Sequence, residues 1–267
     1  MWQKRFLPKK SLVGMIEFAL IGYPLEHSRS AEFFNNKFAS LGMKATYFNH
    51  PVSKIEDLPA FIAAHPSLAG FNVTSPYKEG VLRYVSECDE SALKVGAANL
   101  ITVESNVLKA YNTDVLGFAE MVKPYLKAHH TRALILGTGG AAKAVAQAFS
   151  LLGLSFKFVS RFPAYKDEKV ISYREINSSI VKEFSVVVNA TPVGMFPNVS
   201  EIPRLPYEGI TPLHLCCDLI YEPKETFFLR RCRDQGAMAI NGLPMLYAQA
   251  NRNWIIWEGH LKRLGLL

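Results

Sequence analysis

The sequence predicts a two-part α/β protein, and three observations carry the prediction. Short apolar, β-rich runs alternate with stretches of helical spacing, the pattern of largely parallel strands joined by crossover helices. One strand-to-helix step carries a glycine-rich turn. The chain also ends on an aromatic helix that follows the second strand–helix series. A helix that aromatic must bury one face, so it is expected to return and pack on the first part.

The elements follow in order. A strand is expected around Phe18–Ile21, within Glu17–Gly22, then a helix over Ser30–Leu41 and a strand at Ala45–Asn49. Helical spacing returns at Ile55–Ala63, and Gly70–Thr74 reads as a strand stopped by Ser75-Pro76. Asn99–Val103 and Val107–Ala110 flank Glu104-Ser105-Asn106 and read as a hairpin. Within Asn112–Lys127 an apolar helix (Val115, Leu116, Phe118, Met121, Val122) marks the boundary between the parts. Beyond it, strands are expected at Ala133–Leu136, Phe156–Val159, Val186–Asn189, His214–Asp218 and Met238–Ile240, with helices at Ala141–Leu152 and Thr226–Arg233. The last helix, about Met245–Trp257, carries Leu246, Ala250, Trp254, Ile255 and Trp257. The expected division is a first domain of residues 15–113 plus 243–267 and a second of residues 114–242. A cleft between two domains is the usual place for a ligand.

Composition excludes several classes of function. At 267 residues, with 49% hydrophobic and 20% charged, the chain can bury an ample core. No run approaches 18 uninterrupted apolar residues, so no membrane span is expected. The net charge is +7, but Lys4, Arg5, Lys9 and Lys10 stand in residues 1–14 with no acid, so 7 − 4 leaves +3 for the rest. That mild remainder speaks against nucleic acid as a partner, and residues 1–14 read as a basic leader outside the fold. Cys88, Cys216, Cys217 and Cys232 contain no CxxC pair, which suits a reducing cytoplasm better than a secreted disulfide framework. The histidines show no metal-ligand spacing, so no metal is expected, and His129-His130 reads as a solvated loop. No GxSxG nucleophile turn is present.

The glycine turn is more informative. "ALILGTGGAAKAVAQAF" (Ala133–Phe149) is a strand followed at once by Gly137-x-Gly139-Gly140 and a helix of small residues. Such glycines let the backbone approach a pyrophosphate, which the free N–H groups and positive end of the helix dipole then hold. A tight turn that binds nothing is the alternative. The next strand ends at Ser160-Arg161, where an NAD site usually carries an acid and an NADP site an arginine for the 2′-phosphate. Arg161, assisted by Lys166, therefore reads as NADP, against the alternative of a surface arginine. A nicotinamide cofactor implies hydride transfer, and the protein must then supply proton handling and substrate orientation.

Several further motifs stand in a fixed order. "GYPLEHSRS" (Gly22–Ser30), "FNVTSPYK" (Phe71–Lys78), "GAANLI" (Gly96–Ile101) and "YNTDVLGF" (Tyr111–Phe118) precede the glycine turn. "VVNATPVGM" (Val187–Met195), "CDLIYEPKETFFL" (Cys217–Leu229) and "NGLPMLYAQA" (Asn241–Ala250) follow it. From about Ile16 to Trp257 the chain resembles the NADP-dependent shikimate/quinate dehydrogenase family, whose members reduce 3-dehydroshikimate to shikimate on the route to chorismate and the aromatic amino acids. The resemblance implies a substrate domain followed by a Rossmann-like NADP domain. It implies a catalytic lysine at Lys78 and a catalytic aspartate at Asp114. Substrate contacts would fall to Ser28, Ser30, Asn72, Thr74, Asn99, Tyr221 and Gln249. Gly137, Gly139, Gly140 and Ala141 would meet the pyrophosphate, and Ser160 and Arg161 the adenosine phosphate. Asn189, Ala190, Thr191 and Met195 would line the adenosine and nicotinamide side, and Gly242 would approach the nicotinamide amide. The chain departs from the family pattern at Ala31, Leu100, Phe162 and Tyr165, where proline, threonine, threonine and a second basic residue are usual.

The residue types agree with that chemistry, though each has a plainer reading. Serine hydroxyls can bind a carboxylate, and Asn, Thr and Gln both give and accept hydrogen bonds, as ring hydroxyls require. Alone, Ser28, Ser30 and Asp114 could be helix caps, Asn72 and Asn99 turn formers, Thr74 a strand residue and Gln249 a solvated helix position. Lys78 could be surface and Tyr221 packing. Rival functions are a quinate/shikimate dehydrogenase preferring NAD and a catalytically silent cofactor-binding regulatory protein. The expected partner is a small-molecule substrate, with room for a homodimer.

Overall fold

The computed structural model describes residues 14–26, 28–105, 107–162 and 168–267. Two compact units divide them, one reaching to Asn112 and resuming over Asn253–Leu267, the other formed by Thr113–Arg252. Lys166, Tyr165 and all of the basic leader except Gly14 lie outside the described residues.

The first unit contains β1 (Ile16–Gly22), α1 (Ser30–Ser40), β2 (Ala45–Pro51), α2 (Leu58–Ala64), β3 (Leu68–Val73), β4 (Glu87–Cys88), α3 (Glu90–Val95), β5 (Leu100–Glu104) and β6 (Val107–Tyr111). The second contains α4 (Asp114–Val122), β7 (Arg132–Leu136), α5 (Gly140–Leu151), β8 (Ser155–Ser160), β9 (Val170–Ser172), α6 (Ser178–Glu183), β10 (Val186–Asn189), β11 (Leu215–Asp218), α7 (Phe227–Asp234) and β12 (Met238–Ile240). The last helix, α8 (Leu243–Arg263), starts in the second unit and ends in the first. Among the described residues no helix is long and apolar enough to cross a membrane.

In the first unit the strands run β2-β1-β3-β5-β6-β4. Those on the β1 side pair in parallel, while β5 and β6 form the expected antiparallel hairpin beside β3. Every residue of β3 is buried, as in a strand covered on both faces. One face packs Ala19, Ile21, Phe71 and Val73 against Leu58 and Phe61 from α2. On the other, Trp257 of α8 sits 4.6 Å from the Phe18 ring and 5.1 Å from that of Phe34. Its Nε1–H donates to the Ile101 carbonyl at 3.1 Å. Gly70 leaves the room, since a Cβ there would stand 2.3 Å from Trp257 Nε1. The aromatic helix thus returns to the first unit, as its composition requires.

In the second unit all six strands are parallel, in the order β12-β11-β10-β7-β8-β9. The order reverses between β7 and β10, and in open sheets of this kind ligands bind at the carboxyl ends flanking that switch point. Ala142, Ala144 and Ala148 are fully buried, so small side chains let α5 lie close to the sheet. One expectation needs correcting. His130 is 7% exposed, and its Nε2 shares the Leu213 carbonyl (3.1 Å) with His129 Nε2 (3.0 Å), so this pair anchors a loop rather than being wholly solvated.

Candidate functional site

The first unit gathers its polar residues where strands end. The Thr74 N–H donates to the Ile21 carbonyl at 2.8 Å and the Tyr77 N–H to the Thr74 carbonyl at 3.0 Å, so the turn after β3 is tied to β1. The Tyr77 hydroxyl reaches the Val52 carbonyl at 2.7 Å. Lys78 follows, and its own carbonyl accepts from the N–H of Ala98, the residue before Asn99, at 2.7 Å. The lysine is therefore partly buried on a turn held from several sides.

Asn72 is 6% exposed and its amide is hydrogen-bonded through both nitrogen and oxygen. Nδ2 donates to the Asn99 carbonyl at 2.9 Å, and Oδ1 accepts from the Tyr47 hydroxyl at 2.8 Å. The Tyr47 oxygen is also hydrogen-bonded to the side chain of Ser30, while its burial pushes the phenol well above its ordinary pKa. A continuous polar line, Ser30–Tyr47–Asn72–Asn99, thus crosses α1, β2, β3 and the start of β5. Ser28 Oγ accepts from the Ser30 N–H at 3.3 Å, and Arg29, not either serine, holds the cap position of α1. Sequence reasoning did not single out Tyr47, which lies within the expected strand Ala45–Asn49. It also missed Asn112, whose Nδ2 holds the Ala97 carbonyl at 2.9 Å behind Asn99.

The second unit holds the remaining candidates. Asp114 is the first residue of α4, is 4% exposed, and follows Thr113 at the cap position, so it is not the simple cap that its position allowed. Gln249 Nε2 donates to the Leu246 carbonyl of its own helix at 2.9 Å. The glycine turn sits at the switch point. Gly137 adopts φ +105°, and a Cβ on it would meet Thr191 Cγ2 at 3.1 Å and the Ala190 carbonyl at 3.3 Å. Gly139 caps α5 without any side-chain hydrogen bond, so the first N–H groups of that helix have no side-chain cap. Gly140 and Ala141 open its first turn. Arg161 is exposed beside Phe162, whose N–H donates to Ser160 Oγ at 3.1 Å. Asn189 is fully buried, Thr191 partly buried, and Met195 exposed on the turn after β10. Gly242 has a packing reason of its own, because a Cβ there would stand 2.1 Å from the Leu219 carbonyl oxygen. Tyr221 is half-buried on the segment leaving β11. Lys78 belongs to the first unit and Asp114 to the second.

Comparison with known proteins identifies the family. A family model described as the shikimate dehydrogenase substrate binding domain matches residues 20–101. A curated shikimate dehydrogenase (NADP(+)) from Desulforamulus reducens is 33% identical over 260 residues, covering 90% of this chain and 89% of its own. The chain belongs to the shikimate dehydrogenase family. A crystal structure of shikimate dehydrogenase 1 from Peptoclostridium difficile matches with TM-score 0.79 and 35% identity over 92% of each chain. A shikimate 5-dehydrogenase from Thermus thermophilus, in complex with NADP(H) and shikimate, matches with TM-score 0.80 and 30% identity, over 92% of this chain and 94% of its own.

Shikimate dehydrogenase membership makes a dinucleotide the group to test against the second unit, and the residues fit one. The glycine turn stands at the switch point, the helix behind it lacks a side-chain cap, and no heavy atom lies within 4 Å of a Cβ built on Gly139. Those are the bare N–H groups and the clearance that a pyrophosphate needs.

Proposed function

We propose that the chain catalyses the reversible NADP-dependent reduction of 3-dehydroshikimate to shikimate. The observation that carries this reading is the Ser30–Tyr47–Asn72–Asn99 line beside Lys78, a hydrogen-bonded run of hydroxyls and amides, buried except at Ser30, of the kind that positions groups for a polyhydroxylated ring acid. When bound, the nicotinamide supplies or receives the hydride. Lys78 gives a proton to the reacting oxygen on reduction and takes it back on oxidation. Asp114 fixes a ring hydroxyl, Ser28 and Ser30 the carboxylate, and Thr74, Asn99, Tyr221 and Gln249 the remaining oxygens. Gly137, Gly139, Gly140 and Ala141 hold the pyrophosphate, Ser160 and Arg161 the 2′-phosphate, and Ala190, Thr191, Met195 and Gly242 shape the nicotinamide side.

In this proposal residues 15–113 with 243–267 serve the substrate and residues 114–242 the cofactor. A cytoplasmic location, supported by cysteine usage, and a homodimer belong to the same reading, with sedimentation as the test of assembly. The purified protein, given shikimate or quinate with NADP or NAD, should reduce cofactor fastest with shikimate and NADP. Absence of shikimate-dependent reduction with either cofactor would overturn the assignment. Faster turnover with quinate and NAD would favour the rival dehydrogenase.

A further inference from the structure

Asn189 stands in the cofactor motif, yet its side chain presents nothing outward. The residue is 0% exposed, and its amide is spent on the protein. Nδ2 donates to the Val193 carbonyl and to Asp218 Oδ1, both at 3.1 Å. Oδ1 accepts from the Thr191 N–H at 3.1 Å and from the Thr191 hydroxyl at 2.6 Å. Asp218 is itself 0% exposed at the end of β11. Its carboxylate also accepts from the Ile220 N–H at 3.0 Å and the Thr226 hydroxyl at 2.7 Å.

We infer that Asp218 is a positioning residue for the cofactor: through Asn189 it sets the Thr191–Val193 turn, and through Ile220 it sets the segment leading to Tyr221. The inference rests on the dehydrogenase reading above and deepens it. A buried carboxylate is costly, and this one is kept where an apolar residue would pack more simply. The structure shows what it does there: it is the shared acceptor that joins the exits of β10 and β11 with the N-terminus of α7. Both exits carry residues assigned to the site. Burial alone makes a buried acid expensive, but a hinge of three donors gives it a geometric task that leucine or serine could not perform.

The relay has a specific weak point, the donor–acceptor sense of the Asn189–Asp218 pair. Asn189→Asp sets two carboxyls against each other and unhooks the turn. Since the native side chain is fully buried, no direct ligand contact is lost. By calorimetry on the full chain, N189D should weaken NADP binding about tenfold or more, as loss of a buried charged hydrogen bond implies. D218N, which keeps its carbonyl toward Asn189 and Ile220, should stay within about threefold of wild type. T226V removes a carboxylate bond but leaves the Asn189 bond in place, so it should lower the melting temperature without weakening NADP binding. Wild-type affinity in N189D, or equal weakening in T226V, would each overturn the proposal. If N189D does not fold, D218L takes its place, with a tenfold loss expected and unchanged affinity overturning the idea. Wild-type protein that binds NADP but oxidises no shikimate would sink the dehydrogenase reading and leave this test standing.

Discussion

At the scale of single residues, Lys78 and Asp218 are charged groups in two different settings, and each is tested differently. Lys78 is held by its backbone, whose carbonyl takes the Ala98 N–H, so its side chain starts from a fixed turn. Lys78→Ala should lower kcat by about 100-fold or more, the usual worth of a positioned proton-transfer group, with NADP affinity within about twofold. Near-normal turnover in that variant would remove Lys78 from the mechanism. Asp218 makes a different statement, about pH. Burial lifts its carboxyl from the ordinary 3.8 to about 6, against the pull of Thr226, Ile220 and Asn189. Between those values the folded state keeps a proton that the unfolded chain has released, so this group makes folding less favourable as pH rises from 4 to 6. The full difference, reached above the folded value, is roughly 3 kcal/mol. Of its titratable neighbours, Cys217 and Tyr207 are pushed up by burial, and Cys232 by its bond to Cys216 and then by burial, so all stay neutral in this range. Asp218→Asn should therefore gain stability relative to wild type between pH 4 and pH 7 in urea titrations. A difference that does not change with pH would show that burial does not act on this carboxyl as described. Asn72, Asn99 and Lys78 could be proposed from the sequence because their motif surrounds them. Tyr47 and Asp218 could not, because each acts through a partner distant in sequence that only folding brings near.

At the scale of elements, the glycine turn separates two reasons for lacking a side chain. Gly137 has φ +105° and Thr191 close by, so alanine there is strained whatever binds. Gly139 has neither constraint, with nothing within 4 Å of a built Cβ and an extended backbone at φ −77°, ψ −177°. Gly139→Ala should keep its melting temperature while weakening NADP binding about tenfold, because only a pyrophosphate close to the helix N-terminus needs that clearance. Gly137→Ala should lose both stability and affinity. Unchanged NADP binding in folded Gly139→Ala would mean that no phosphate approaches this turn. Elements with a plain apolar pattern were readable: β10 and β12 fall on the expected residues, and the hairpin of β5 and β6 is antiparallel as its spacing suggests. The two-residue β4, three-residue β9 and six-residue α3 and α6 are too short and too mixed to show a period. Tertiary pairing and caps fix them instead, as when Asp89 Oδ1 accepts from the Ser91 N–H at 3.0 Å to start α3.

At the scale of the whole molecule, the chain closes its first unit with its last helix. Local patterning exposed the aromatic face of α8 but could not say which strands it covers, since that depends on contacts more than 150 residues apart. Trp257 answers this. It is fully buried against Phe18, Phe34 and Tyr47, and Gly70 supplies the space for its indole nitrogen. The same Tyr47 is the hub of the polar line to Ser30 and Asn72. Trp257 therefore supports that polar line, which the proposal assigns to the substrate, as well as the fold. Trp257→Ala removes the largest fully buried side chain among the described residues and leaves the Ile101 carbonyl without its indole donor. The expected cost is about 3–5 kcal/mol of stability. Because Tyr47 loses a neighbour, the KM for shikimate should also rise in the protein that remains folded, while NADP affinity, which the proposal assigns to the second unit, should stay close to wild type. Denaturant unfolding and steady-state kinetics on the one variant measure both effects. Equal loss of affinity for shikimate and NADP would show that the damage spreads through the molecule, and that Trp257 has no particular connection to the substrate side.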